Sequence, residues 1–240
     1  MAGGGEEKRV KTEDFLEEIK KACGENLLSF VVYGSAAAGD AVPGVSDVNV
    51  MLVLREAHIG ALRAIGEASR GWLRKGNPPP LLFTRERLAA SADAFPIELS
   101  DMKAARKVLF GPDPLEGLAV EPGHLRAALE RELKGKLILL RNACVSAAGG
   151  DKALRAAMTA SLPSVLVLCR AALRLRSGSA PVAKLAAAEE LGKAVGADVS
   201  SFAEIQALRA GGRVSDAGGL FARYLGAAEA LADAVDRWEH

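Results

Sequence analysis

Phe15, Ile19 and Ala22 recur at helical spacing among charged residues, which predicts an amphipathic helix over 12–23. From residue 27 the pattern changes. Residues 27–33 form an almost continuous apolar run, the mark of a buried strand, and it stops at Gly34-Ser35. A small-residue segment predicts a short helix over 35–39, a turn follows at Pro43-Gly44, and a second apolar run predicts a strand over 47–54. Ile59, Leu62, Ile65 and Trp72 predict one helix over 56–74 with those side chains toward a sheet, broken at Asn77 and three prolines. Leu81-Leu82-Phe83 reads as a short buried strand, and Thr84 as the N-cap of a helix over 85–92. Segment 95–100 reads as a further strand, and 106–110 as the strand that closes the sheet.

Beyond the turn-rich stretch 111–116 the period of two disappears. Leu125, Leu129, Leu133, Leu137, Leu140 and Cys144 trace one long helix, and Leu154, Met158, Leu162, Val165, Leu166, Cys169 and Leu173 a second, with Asp151 as its cap and Pro163 as a kink. Ser179-Ala180-Pro181 predicts the start of a third helix, Ser201-x-x-Glu204 a capping box for a fourth, and Phe221 to Trp238 a last one with an aromatic core. The fold class that follows is α+β: a mixed sheet with helices over 1–116, followed by an all-α antiparallel helical bundle over 117–240.

Composition narrows the function classes. A net charge of +1 gives no bulk electrostatic attraction to a nucleic-acid polymer or an anionic membrane. Cys23, Cys144 and Cys169 have no metal-type spacing, and neither do His58, His124 and His240; reduced, buried thiols in a cytoplasmic protein are expected. The N-terminus is polar and lacks the apolar core of a signal peptide, and the most apolar stretch, 161–169, is too short to span a bilayer.

Candidate chemistry concentrates between residues 34 and 49. Side chains alternate along a strand, so Asp47 and Asn49 share one face while Val48 and Val50 take the other. Two oxygen-bearing groups beside a Gly-Ser turn suit a cation and a phosphate. Taken singly, each feature has an ordinary reading: a strand-to-helix turn at Gly34-Ser35, a strand-entry residue at Asp47, a solvated acid at Glu98. Asn49 is harder to explain that way, because asparagine is depleted in strands.

Gly34, Ser35 and Asp47, in that order, resemble the DNA-polymerase-β-like nucleotidyltransferase superfamily, in particular the branch with aminoglycoside adenylyltransferases and minimal nucleotidyltransferases. The resemblance covers roughly the first half of the chain. It implies Gly34 and Ser35 at the triphosphate, Asp47 as a metal ligand and catalytic residue, Asn49 in place of the second acid, and Glu98 as the third acid on a later strand. In that family, paired Mg ions about 4 Å apart bind the triphosphate and activate the acceptor hydroxyl. With Asn49 neutral, two charged ligands remain where the family has three, so one Mg ion held with the triphosphate is expected and activation of the acceptor is weakened.

Three readings follow. One is transfer of a nucleoside monophosphate, as from ATP, to a small-molecule or protein hydroxyl. The alternative is a catalytically degenerate nucleotide-binding regulatory or interaction protein. The third is a protein that keeps only the fold. The resemblance also implies a bundle that covers the cleft; an apolar bundle face would suit a homodimer, though nothing in the sequence demands one. Related bundles in toxin systems use an Arg, a polar residue and a later His as a ribonuclease site. Arg141 and Asn142 are present here, but Ser146 stands in the histidine place, so that chemistry is not expected.

Overall fold

A computed structural model describes residues 12–38, 47–147 and 150–238. The Pro43-Gly44 turn, Ser46, Gly149, the polar N-terminus and His240 lie outside the described residues. The chain forms two compact units, one up to Val120 and one from Glu121.

In the first unit the amphipathic segment is α1 (Thr12–Cys23), which buries Phe15, Leu16 and Ile19. Its first turn is acidic and its last turn basic, matching the partial charges at the helix ends. A 3-10 turn over Gly24–Asn26 leads into β1 (Leu27–Tyr33). Antiparallel neighbours flank β1: β2 (Asn49–Leu54) on one side and β4 (Arg106–Phe110) on the other. β3 (Leu81–Thr84) lies parallel to β2, and the order is β3-β2-β1-β4. Parallel neighbours need a crossover, and two short helices supply it: α3 (Ile59–Ala68) and α4 (Arg70–Arg74).

Both faces of the central strands are buried. Phe30, Val32, Val50, Leu52 and Leu54 pack with Phe15, Ile19, Ile65 and Trp72. On the opposite face Val31, Met51 and Val53 pack with Leu88, Leu99, Met102, Leu115 and Leu118. Trp72 stacks on Phe15 with ring centroids 4.4 Å apart, and its indole N–H donates to the Pro78 carbonyl at 2.9 Å. Such an anchor combines a large buried area with a satisfied polar atom.

Several expectations are corrected. Segment 56–74 is two helices meeting at Ser69, and of the four apolar residues expected to face the sheet only Ile65 and Trp72 are buried; Ile59 is 66% and Leu62 37% exposed. The strand expected over 95–100 is α6 (Pro96–Ala104). Alternation of Phe95, Ile97 and Leu99 imitates a strand, but Pro96 suits a first helical turn and Leu99 and Met102 pack at helical spacing. α5 (Arg85–Ala89) is capped as expected, with the Thr84 hydroxyl accepting from the Arg87 N–H at 3.3 Å. The turn at Gly111 presses against β1: Gly111 has φ +74, and a Cβ there would stand 1.9 Å from the Leu28 carbonyl oxygen. The Ser29 hydroxyl reinforces this closure by donating to the Pro112 carbonyl at 2.7 Å. Leu115 and Leu118 then join the sheet core, which carries the first unit past the 111–116 turn.

The second unit is a helical bundle: α7 (Pro122–Ala147), α8 (Asp151–Ser177), α9 (Lys184–Val195), α10 (Ser200–Arg209) and α11 (Ala217–Asp236). α8 packs on the other four. By length and composition it would pass for a membrane span, unlike the shorter stretch seen in the sequence, but its apolar residues lie largely inside the bundle. Tyr224 is fully buried, shares a hydrogen bond of 3.0 Å with the Ser161 hydroxyl, and packs edge-on against Phe202. Trp238 is only half-buried, beneath the Arg176 guanidinium. α9 starts at Lys184 rather than at Ser179, and Asp151 is a helical residue paired to Arg155 rather than a cap. Ser201 is buried inside α10, and the Asp198 carboxylate takes the Ser200 N–H in place of the expected capping box. All three thiols are free, but only Cys169 is buried, and desolvation pushes its pKa up to about 12.

Gly111→Ala is expected to lower stability by roughly 2–4 kcal/mol, through a left-handed backbone and a backbone clash together. Gly24→Ala, also left-handed (φ +52) but facing open space, should cost only about 1 kcal/mol. Urea unfolding of both variants checks this; equal losses would remove the clash from the account.

Candidate functional site

β1 ends at Tyr33 because Gly34 adopts φ +78, which L side chains rarely do. The Gly34 N–H donates to the Ala105 carbonyl at 2.9 Å, and its own carbonyl accepts from the Ala37 N–H at 3.0 Å. α2 (Ser35–Ala38) starts there. The Ser35 side chain lies outside the described residues.

Strand register brings Asn49 to this turn. Asn49 pairs with Tyr33, and a Cβ on Gly34 would stand 3.5 Å from Asn49 Nδ2. The amide therefore lies over the glycine. It is half-buried and has no hydrogen-bond partner among the described residues. Asp47, just before the strand, is exposed and equally unpartnered among them. Val48 and Val50 pack into the α1 and α3 side of the sheet, so Asn49 belongs to the other face.

Directly opposite residues of paired strands share a face, so Asn49, Tyr33 and Arg106 form one row across β2, β1 and β4. Tyr33 is half-buried, and desolvation raises its pKa. Arg106 is held by Asp113, with Nε and Nη2 at 2.7 and 2.6 Å from Oδ2, and by the Lys103 carbonyl. Burial works against the Asp113 carboxylate. Hydrogen bonds from Arg106 and the Leu115 N–H, with the charges of Arg106 and Lys103, outweigh it and hold the pKa below its ordinary value. A strand carrying Arg106 was legible in the sequence; its place in a row with Tyr33 and Asn49 was not, because strand order is a tertiary fact.

Glu98 sits exposed in the first turn of α6, not on a strand. Helical spacing, not strand alternation, therefore sets which way Glu98 and Asp101 face. Asp101 is half-buried one turn before Ala105, the residue bonded to the Gly34 amide. At 1.5 Å per residue, Glu98 lies about 10 Å along the axis from Ala105, and Asp101 about 6 Å.

The four strands together contain no aspartate or glutamate. Among the described residues no three His, Cys, Asp or Glu side chains converge as a metal site would need. The donor set does not fit a two-ion centre. Asp47 and Asn49 together offer two ligating groups, a carboxylate and an amide oxygen, and one negative charge to a hard cation. A separate cavity of about 280 Å³, lined by Ser29, Arg85, Leu88, Pro112, Asp113 and Leu118, opens four residues up β1 from Tyr33 and does not include the Gly34 turn.

A nucleotidyltransferase-like fold is what this sheet, its Gly34 turn and the following bundle define. Among solved structures the chain is similar to spectinomycin adenyltransferase AAD(9) from Enterococcus faecialis, solved with ATP and spectinomycin. The TM-score is 0.51 at 13% identity, over 95% of this chain and 100% of that one, so the likeness is one of fold. No protein-family profile and no curated protein matches the sequence.

The depressed Asp113 pKa stabilises the fold above the unfolded carboxylate range and is lost as pH falls through the folded value. Wild-type stability should therefore drop between about pH 5 and pH 2 more steeply than that of Asp113→Asn. Urea midpoints across that window check it; parallel curves would show that the Arg106 pair contributes nothing.

Proposed function

We propose that this protein is a nucleotidyltransferase-like nucleotide-binding protein whose transfer step is weakened at the metal. The polyphosphate of a nucleoside triphosphate lies against the backbone that follows Gly34. Gly34's own amide is committed to Ala105, so the ligand draws on the turn's remaining donors. Asp47 and the Asn49 oxygen contact a single Mg ion brought in with the triphosphate. Glu98, exposed in the first turn of its helix, is left out of the ligand set.

The observation that carries this reading is the Asn49 amide, unpartnered among the described residues and lying over the left-handed glycine that ends β1. A polar side chain so placed in a strand calls for a ligand or water to complete its hydrogen bonds. The solved structure with the same fold carries ATP, which supports a nucleotide as that ligand and ATP as the first to test. Its second ligand, spectinomycin, supports a small-molecule hydroxyl as acceptor for whatever transfer persists; a protein hydroxyl is the other class. When bound, Mg supplies charge neutralisation of the phosphates. The chain's own residues hold and orient the nucleotide, but they lack the strand carboxylates that a second ion and an activated acceptor require. The catalytically degenerate reading therefore stands ahead of efficient transfer.

Calorimetric titration with ATP, GTP, CTP and UTP, each with and without Mg, tests it. Binding should depend on Mg and weaken about tenfold or more in Asp47→Ala, since a hydrogen bond or ion contact to a charged group is lost. Asn49→Asp should tighten the Mg dependence. Labelled AMP transfer should stay far below that of a three-acid enzyme. If none of the four nucleotides binds in either condition, only the fold remains.

A further inference from the structure

β2 begins where its neighbours end. Its last partner on β1 is the pair Asn49–Tyr33, after which Gly34 turns away. On the other edge the ladder with β3 starts at Met51–Leu81, and the residues before Leu81 are Pro78, Pro79 and Pro80. Proline has no N–H to give a ladder. Within that run the Pro78 carbonyl accepts from the Trp72 indole. Val48, between Asp47 and Asn49, therefore has a backbone N–H that the sheet itself leaves unpaired.

Asn77 supplies the missing partner. Its Oδ1 accepts from the Val48 N–H at 3.2 Å, and its Nδ2 donates to the Trp72 carbonyl at 3.4 Å. Only this amide orientation pairs both groups correctly, since a carbonyl oxygen cannot receive a bond from another carbonyl. Trp72 is 1% exposed and stacked on Phe15, so the far end of the bridge is fixed in the core. The bridge spans 29 residues of sequence and ends on the backbone that carries both proposed cation contacts.

We propose that Asn77 is a positioning residue: through the Val48 amide it holds Asp47 and Asn49 in the arrangement that receives the cation and polyphosphate. This rests on the nucleotide reading of the Gly34 turn. Asn77 touches no ligand itself. Its effect comes from restricting a short backbone segment that would otherwise be ordered at the moment of binding, at a cost to affinity.

The test uses the full chain, isotope-labelled, as wild type, Asn77→Ala and Asn77→Asp. Amide hydrogen exchange at Val48 is compared with that of Leu52 in the same strand, and Mg-ATP affinity is measured in parallel. Asn77→Ala should speed Val48 exchange and weaken Mg-ATP binding, each about tenfold, the equivalent of one hydrogen bond, while Leu52 keeps its protection. Asn77→Asp keeps the acceptor for the Val48 N–H but loses the donor to the Trp72 carbonyl, so it should restore Val48 protection and affinity in part, which a simple loss of stability would not do. Unchanged affinity in Asn77→Ala despite faster Val48 exchange, or unchanged exchange, overturns the proposal. A wild-type chain that binds no nucleotide overturns the nucleotide reading instead, and the exchange comparison still decides whether Asn77 holds the Val48 amide.

Discussion

Burial of the sheet on both faces constrains everything else in the first unit. β1 and β2 are sandwiched between α1, α3 and α4 on one side and α5, α6 and the 115–118 segment on the other. Desolvating a polar side chain in such a layer is costly unless it is paired. The interior of these strands is therefore almost wholly apolar, and polar chemistry is confined to the strand ends. Ser29, the one buried hydroxyl of β1, is satisfied by the Pro112 carbonyl. Tyr33, Asn49 and Arg106 lie in the single row where the sheet opens beside the Gly34 turn.

That row is held from both ends of the fold. Gly34 is fastened to the end of α6 through Ala105, and Arg106, the next residue, is locked to Asp113. On the far edge the crossover from α4 to β3 folds back on itself: Trp72 fills the core, takes the Pro78 carbonyl with its indole, and offers its own carbonyl to Asn77. The same few residues thus build the hydrophobic core and fix the backbone of the candidate site. A fold can keep such a frame while its chemistry changes, because the frame is stabilised by burial and the chemistry by a few charges.

Negative charge is what the described strands lack for a two-ion centre. Two divalent cations a few ångströms apart repel strongly and are tolerated only among several carboxylates. Asp47 is the carboxylate nearest in sequence to the Asn49 amide, and the strands add none. The row that starts at Asn49 instead ends in the Arg106 guanidinium, whose charge is met by Asp113.

Much of the architecture was legible without coordinates. Helical periodicity placed α1, α7, α8 and α11, the apolar runs placed β1, β2 and β3, and Gly34 marked the turn, because each is set by local backbone preference or by a repeat that only one geometry can bury. Residues 95–100 were misread, since Phe95, Ile97 and Leu99 alternate as a strand would while the helix packs by Leu99 and Met102. The two ends of the Asn77 bridge are 29 residues apart, and nothing local distinguishes Asn77 from any helix-breaking asparagine before prolines. By itself the sequence determined which segments must be buried and where the chain must turn. Which polar ends meet at Gly34, and which side chain takes the amide that three prolines leave unpaired, was decided only by strand order and packing, because those contacts join residues with no local relation.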